Sequence, residues 1–556
     1  MAALALVAMI IGLSISARVQ SGAGVSVETV SFKGRSGAPM RALLFRPRDA
    51  TPAHPRPGVL AVHGYLNSAE IQANFATELA RRGYVVLAPD QRGHGASAGP
   101  VFADGFGGPD ALAYLRSLPY VDRDNIGLEG HSMGGWTVLR AAQAFPDGYR
   151  ALVLEGSSVG APFAPEGSRT FPRNLLVVYG KRDEFGGFMW GKPSPVRTGA
   201  APKAMAAFGT TAPIEPGRLY GSLAAGDARL LLTPPVIHAW LHQSRAGVTP
   251  ALNWFDQTLK GGDRRASDDQ VWPWREAGNA MALIAVPFFL IGLIGMGTAG
   301  LSVGRPAAVS ALTPADTGRG VALRLIAIAL IPAVLYLPLT MAAEKMIGVN
   351  TVLRQTYSTQ FGFWALCCAL LNFAALAGLG RRRAPLEGGF RAVVVAGAAL
   401  AATFALVLAA DRLGHVNPSW WFITLRPLTV ARFQDFLVYL PFFMAQTVSA
   451  LWLIDTVRPL DKGPTWRAVG VSVATLTGGL LLFLALQYGV LVATGALLLA
   501  GEGLRTISAI NFIPILAVVG GLGVVSRRWT GSVLTGALAA GALMTWMLTA
   551  TQPIAG

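Results

Sequence analysis

Ser132 sits in the run Gly130-His131-Ser132-Met133-Gly134, with Gly135 following. A serine hydroxyl is a weak nucleophile until a neighbouring base takes its proton. Context gives this serine its interest. The residues before it, NIGLEG at 125–130, read as a strand, and those after it, about 133–145, read as a helix. A sharp turn between strand and helix exposes the serine, and bulk at either flanking glycine collides with the adjoining elements. The helix N-terminus favours negative charge developing beside it. The chemistry implied is attack on a carbonyl carbon and formation of an acyl-serine ester.

The flanking elements must position that serine. Residues 25–48 alternate apolar and polar side chains, which predicts a leading antiparallel pair. GVLAVHG at 58–64 is then a short continuous apolar run, the mark of a buried parallel strand. YVVLAPD (84–90), NIGLEGHS (125–132), ALVLEG (151–156) and NLLVVYG (174–180) continue the series. Helical patterns at about 68–82, 108–117 and 133–145 separate them. Alternating strand and helix implies a mostly parallel sheet with helices on both faces and sites at the strands' C-terminal ends.

Other segments carry a resemblance. His63-Gly64-Tyr65 ends a strand, Asp90-Gln91-Arg92-Gly93-His94-Gly95 is followed by Ser97, and Asn253-Trp254-Phe255 leads to Leu259-Lys260-Gly261. With the GHSMGG run, residues 25–265 resemble the α/β-hydrolase superfamily, in particular its monoglyceride-lipase-like, dienelactone-hydrolase-like and acyl-peptidase-like groups. The resemblance implies the chain order serine, acid, histidine. Asp183 in VVYGKRDEF (177–185) fits the acid, with Glu184 and Glu155 as alternatives. Of seven histidines, only His238 and His242 follow Asp183 within the same half of the chain. His238, closing the apolar run LLLTPPVI, is favoured as the base. The backbone N–H groups of Tyr65 and Met133 become the oxyanion donors. His63, His94, His131, Asp90 and Arg92 read as structural. The expected activity is cleavage of carboxylic esters, acyl or lipid-like. A peptidase or amidase on the same fold is the alternative, as is a lipid-handling or transporting helical half with an accessory hydrolase. The His238/His242 pair lacks a third ligand, so neither metal nor cofactor is expected. Phe185, Phe188, Met189 and Trp190, in the insert before His238, suggest an apolar lip over the site.

Composition divides the chain. Of its 556 residues, 52% are hydrophobic and 14% charged, with a net charge of +16. Residues 18–276 hold 28 Lys/Arg and 22 Asp/Glu, an ordinary density for a water-soluble domain. Residues 277–556 hold only 18 and 8. That half carries apolar runs at about 278–303, 321–343, 361–380, 392–410, 436–454, 468–500, 506–525 and 530–550, and spanning needs roughly 20 residues. Eight transmembrane helices are predicted, the sixth over-long and divisible at its glycines. Residues 1–17 read as a further anchor, with a cleaved signal peptide the alternative. Basic residues collect in 304–320, at Arg381–Arg383 and Arg391, and in 456–467 and 526–529. Placing these loops in the cytoplasm puts the soluble half outside it. The excess positive charge is therefore an orientation signal, and no basic–aromatic interleaving suggests nucleic acid as a partner. The ionisable residues Arg324, Glu344, Asp411, Asp435 and Asp455 fall at span ends, within reach of headgroups, and Trp420 and Trp421 read as an interfacial belt. The expected partners are an acyl ester, lipid or peptide substrate and the bilayer. Cys367 and Cys368 are neighbours in an apolar run and form no disulfide framework.

Overall fold

The computed structural model describes all residues except Pro193, 301–317, Arg381, Arg382, Pro385 and Gly556. Arg381, Arg382 and most of the basic 304–320 loop, which orient the chain in the sequence reading, therefore lie outside the described residues.

The chain opens with helix α1 (Ala2–Gln20), followed by β1 (Val25–Lys33), β2 (Pro39–Pro47) and β3 (Arg56–Val62). Then come α2 (Ala73–Ala80), β4 (Val85–Pro89), α3 (Gly108–Ser117), β5 (Val121–His131), α4 (Met133–Ala144), β6 (Ala151–Glu155) and β7 (Leu175–Val178). The insert after β7 holds α5 (Gly186–Trp190), α6 (Pro202–Phe208) and β8 (Leu219–Tyr220), and β9 (Arg229–Leu232) and α7 (Arg245–Thr258) complete this half. The strands form one sheet in the order β1-β2-β4-β3-β5-β6-β7-β9-β8. From β4 to β9 all neighbours are parallel, while β2 runs antiparallel to both β1 and β4. β4, β6 and β7 are buried throughout and β3 nearly so, which explains their unbroken apolar runs. One face packs its side chains with α3 and α4, the other with α2 and α7. The chain order reverses at β3, flanked by β4 and β5, and the crevice beyond such a switch point is where ligands bind in open α/β sheets.

The helical half comprises α8 (Trp272–Gly300), α9 (Arg319–Met346), α10 (Thr356–Leu379), α11 (Gly389–Gly414), a small hairpin of β10 (Ser419–Trp420) and β11 (Ile423–Thr424), α12 (Val430–Val457), α13 (Thr465–Thr494), α14 (Gly503–Thr530) and α15 (Leu534–Thr551). Among the described residues, nine helices, α1 included, are long and apolar enough to cross a membrane. The over-long segment at 468–500 resolves into one helix. α13 continues through Gly478, Gly479 and Gly489 and stops at Thr494, where Gly495 takes a left-handed φ of 79°. Its 30 residues span about 45 Å, enough to cross at a tilt.

α1 lies along α8 through a close glycine contact. A Cβ on Gly12 would overlap the Gly278 carbonyl, and Ser16 Oγ donates to Arg275 O at 2.7 Å. Small residues let helix backbones approach where burial of apolar surface alone gives little drive. The acidic residues expected at span ends find protein partners instead of headgroups. Asp435 pairs with Arg354 at 2.8 Å and Asp455 with Arg527 at 2.8 Å.

Candidate active site

The turn after β5 has the geometry its glycines foretold. Ser132 adopts φ 56° and ψ −122° at the head of α4, a backbone conformation uncommon for a residue with a side chain. Its N–H donates to Glu155 O at 2.7 Å, which ties the turn to the end of β6. A Cβ on Gly130 would overlap the Gly134 backbone, and one on Gly134 would overlap Val62 O. The strained turn therefore requires glycine at both positions.

Asp183 lies in the turn after β7, and His238 opens a short 3-10 turn after β9. Both are buried, and His238 Nδ1 lies 2.7 Å from Asp183 Oδ2. The other carboxylate oxygen, Oδ1, accepts from Phe185 N at 2.8 Å and from Tyr179 OH at 3.1 Å. This leaves the aspartate one orientation. Burial lowers the His238 pKa, but the charge and hydrogen bond of Asp183, with the charge of Glu184, outweigh it and raise the pKa above its ordinary value.

The other candidate acids and the second histidine have different surroundings. Among the described residues neither ring nitrogen of His242 has a hydrogen-bond partner, and burial lowers its pKa to about 3. Among the described residues neither carboxylate oxygen of Glu155 has a hydrogen-bond partner, and burial, followed by the charge of Glu129, pushes its pKa well above the carboxylate range. Glu129 itself is raised to about 8 by burial, which a hydrogen bond from Gln72 partly offsets. Glu184 lies beside the Asp183–His238 pair without touching the imidazole ring, and its Oε2 accepts from the His238 backbone N–H at 2.9 Å.

Ser132 Oγ makes no hydrogen bond among the described residues. Tyr65 N and Met133 N likewise donate to no described protein acceptor. Gly64 brings the Tyr65 loop against the serine, since a Cβ there would lie 3.1 Å from Ser132 Cβ. Burial raises the Tyr65 phenol to about 12, partly offset by a hydrogen bond to Thr356 at the head of α10. His63 Nδ1 donates to Gly64 O and its Nε2 accepts from Gln91 N, and His94 contacts Tyr65 O and Arg92 O. His131 faces His238 O at 3.1 Å.

The rim is aromatic. Tyr65 stacks on Phe102 at 6.0 Å, Phe102 on Phe163 at 5.8 Å, and Phe163 on Trp136 at 4.6 Å, with Phe188 edge-on to Trp136 at 5.8 Å. Phe102 is 46% exposed and Phe188 56%. Of the four residues expected in an apolar lip, only Phe188 faces outward, because Phe185, Met189 and Trp190 are packed into the core.

Sequence reasoning missed the residues that the helical half brings to this site. Arg426, after the β10–β11 hairpin, lies 3.4 Å from Asp90 and 3.5 Å from Glu70. Arg432 on α12 donates to Gly93 O at 2.9 Å and Gly95 O at 2.5 Å. Trp421, expected in a lipid-facing belt, instead donates to Ala239 O at 3.1 Å and stacks on Trp240 at 6.1 Å. Tyr488 near the end of α13 donates to Glu184 Oε1 at 2.5 Å.

The sheet order, with β2 reversed and a serine turn at the end of β5, is that of the α/β-hydrolase fold. Residues 53–181 match the family model of the S33 serine aminopeptidases. The chain is 33% identical over 115 residues to a monoacylglycerol lipase of Mycolicibacterium smegmatis, covering 19% of this chain and 40% of that one. It is 28% identical over 153 residues to mouse dipeptidyl peptidase 8, covering 24% of this chain and 16% of that one. It thus spans less than half the length of either relative. Among solved structures, brefeldin A esterase, described as a bacterial homologue of human hormone-sensitive lipase, aligns at 14% identity with a TM-score of 0.31, over 46% of this chain and 86% of that one.

Proposed function

We propose that the protein is a membrane-anchored serine esterase that cleaves acyl esters through Ser132, Asp183 and His238. His238 Nε2 takes the Ser132 proton as Oγ attacks the ester carbonyl. Asp183 holds the proton on Nδ1 and stabilises the imidazolium that forms. The N–H groups of Tyr65 and Met133 receive the oxyanion, and water then hydrolyses the acyl-serine with His238 again as base. The observation that carries this reading is the buried 2.7 Å contact between His238 and Asp183, made from two separate loops at the strand ends beside the Ser132 turn. In this reading residues 1–17 anchor the chain, 18–276 form the hydrolase, 277–556 form the transmembrane helices, and the hydrolase faces away from the cytoplasm.

A membrane-impermeant fluorophosphonate tests both chemistry and orientation. It should label the wild-type protein on intact cells, and Ser132→Ala should remove the label. Labelling only after lysis would reverse the orientation, and no labelling of folded protein would end the catalytic reading.

The aromatic rim supports an acyl substrate. Phe102→Ser with Phe188→Ser should raise KM for a dodecanoyl ester about tenfold, a loss of about 1.4 kcal/mol of apolar contact, and leave acetyl ester turnover within about twofold. The peptidase reading draws on the family description of residues 53–181. Faster turnover of aminoacyl amides than of acyl esters would favour it.

A further inference from the structure

We propose that Tyr488, on α13, is a positioning residue for His238, acting through Glu184. The inference rests on the assignment of His238 as the base and extends it to the helical half. The connection is continuous: Tyr488 OH donates to Glu184 Oε1 at 2.5 Å, and Glu184 Oε2 accepts from His238 N at 2.9 Å. The carboxylate thereby bridges an apolar helix and the first residue of the turn that carries the imidazole. A second contact runs parallel to it. The Phe185 ring lies 4.5 Å from the His238 ring, and a Cβ on Gly503 at the head of α14 would come within 2.7 Å of the Phe185 ring. The outer ends of α13 and α14 thus press on both sides of the Asp183–Phe185 loop. Gly495, just past α13, also abuts Ser194 in the insert.

The bridge is electrostatic as well as steric. Asp183, Glu184, Tyr179, Tyr488, His131 and His242 surround the imidazole from the strand ends, the 3-10 turn and α13. His242 and His131 are held neutral by burial. Burial and the neighbouring Asp183 raise the Glu184 pKa to about 7, against the lowering effects of the Tyr488 hydrogen bond and of His238. Removing the Tyr488 hydroxyl raises Glu184 further and neutralises it near pH 7. A negative charge that favours the imidazolium is then lost, and the His238 pKa falls. The hydroxyl therefore affects both where His238 sits and the pH at which it is free to act as a base.

The test is the rate of fluorophosphonate labelling of the full-length protein in detergent or nanodiscs, followed against pH. In the wild-type protein the rate should rise with pH as His238 deprotonates. Tyr488→Phe should slow labelling about tenfold at pH 7.5, by loosening the imidazole, and move the midpoint to lower pH with Tm nearly unchanged. Glu184→Gln should move the midpoint the same way. An unchanged rate and midpoint in Tyr488→Phe would overturn the positioning role. A slower rate with an unmoved midpoint and a lowered Tm would reduce Tyr488 to a structural brace and overturn it too. Failure of the wild-type protein to label would instead remove the nucleophile assignment on which the proposal stands.

Discussion

Asp183→Asn is expected to lower kcat on acyl esters by about 10⁴ while leaving the protein folded. The aspartate accepts the Nδ1 proton of His238 at 2.7 Å. Asparagine in the same place presents its amide N–H₂, or an amide oxygen without the charge that stabilises imidazolium. With the N–H₂ facing Nδ1, the ring must carry its proton on Nε2, the atom that has to accept from Ser132. The loss is therefore one of tautomer and charge with little change of packing. Glu155→Gln makes the contrast. Its carboxyl is buried, has no hydrogen-bond partner among the described residues, and is shifted by burial towards the neutral form, so the amide should cost less than tenfold in kcat. The reverse pattern, a damaging Glu155→Gln with a tolerated Asp183→Asn, would move the acid to the end of β6. Steady-state kinetics of the two variants decides the matter.

Arg426→Ala should destabilise the protein by about 3–5 kcal/mol, because it breaks a buried ion network by removing one partner. Arg426 is 4% exposed and approaches Glu70 and Asp90, which also face Arg41 at 2.6 and 3.4 Å. Two guanidinium groups face Glu70 and Asp90, and Arg41 also reaches Asp411 at 3.9 Å. Without Arg426 one carboxylate charge is left in a dry interior. Burial raises the Glu70 pKa, but Arg41 and Arg426 outweigh this and hold it near 2, from an ordinary 4.5. Its contribution to stability is therefore full above pH 4.5 and lost as the pH falls towards 2. Asp90 also accepts from Ala69 N at 2.8 Å and Ala96 N at 2.9 Å, so the damage reaches the loop that carries Tyr65. Adding Glu70→Gln to Arg426→Ala should recover a large part of the loss, since it removes the orphaned charge. Thermal unfolding in nanodiscs at pH 7.5 measures both. A change in Tm below about 1 °C for Arg426→Ala would mean that the network is hydrated and weak.

Much of this molecule was legible in its sequence because the relevant signals are local. Continuous apolar runs marked β3, β4, β6 and β7, and the glycines around Ser132 marked a turn that admits nothing larger. The loop after NLLVVYG pointed to Asp183. The choice between His238 and His242 was harder, because they lie one helical turn apart and periodicity does not distinguish them. The carboxylate reaches only the first. The end of α13 was only partly marked, because apolar residues continue past Gly495, one of the glycines at which the run could divide, into the 495–502 connection. Hydropathy reports solvent preference and carries no signal for a left-handed cap. Arg426, Arg432, Tyr488 and Trp421 were not legible at all as parts of this site. Each meets partners hundreds of residues away, and a charged or aromatic residue at a span end reads the same whether it faces a headgroup or a protein carboxylate.

The separation between Asp90 and Arg426 is 336 residues. Further along, Ile554 O accepts from Val101 N at 2.8 Å and Ile554 N donates to Gly93 O at 2.9 Å. At about 5–20 residues per second of synthesis, Asp90 leaves the ribosome roughly 20–70 s before the arginine that neutralises it, and longer still before Ile554. During that interval the nascent hydrolase holds Glu70 and Asp90 against Arg41 alone, with the segment around Gly93 to Val101 still unclasped. The strands of the sheet are therefore synthesised well before the segments at Arg426 and Ile554 that contact the loops at their ends.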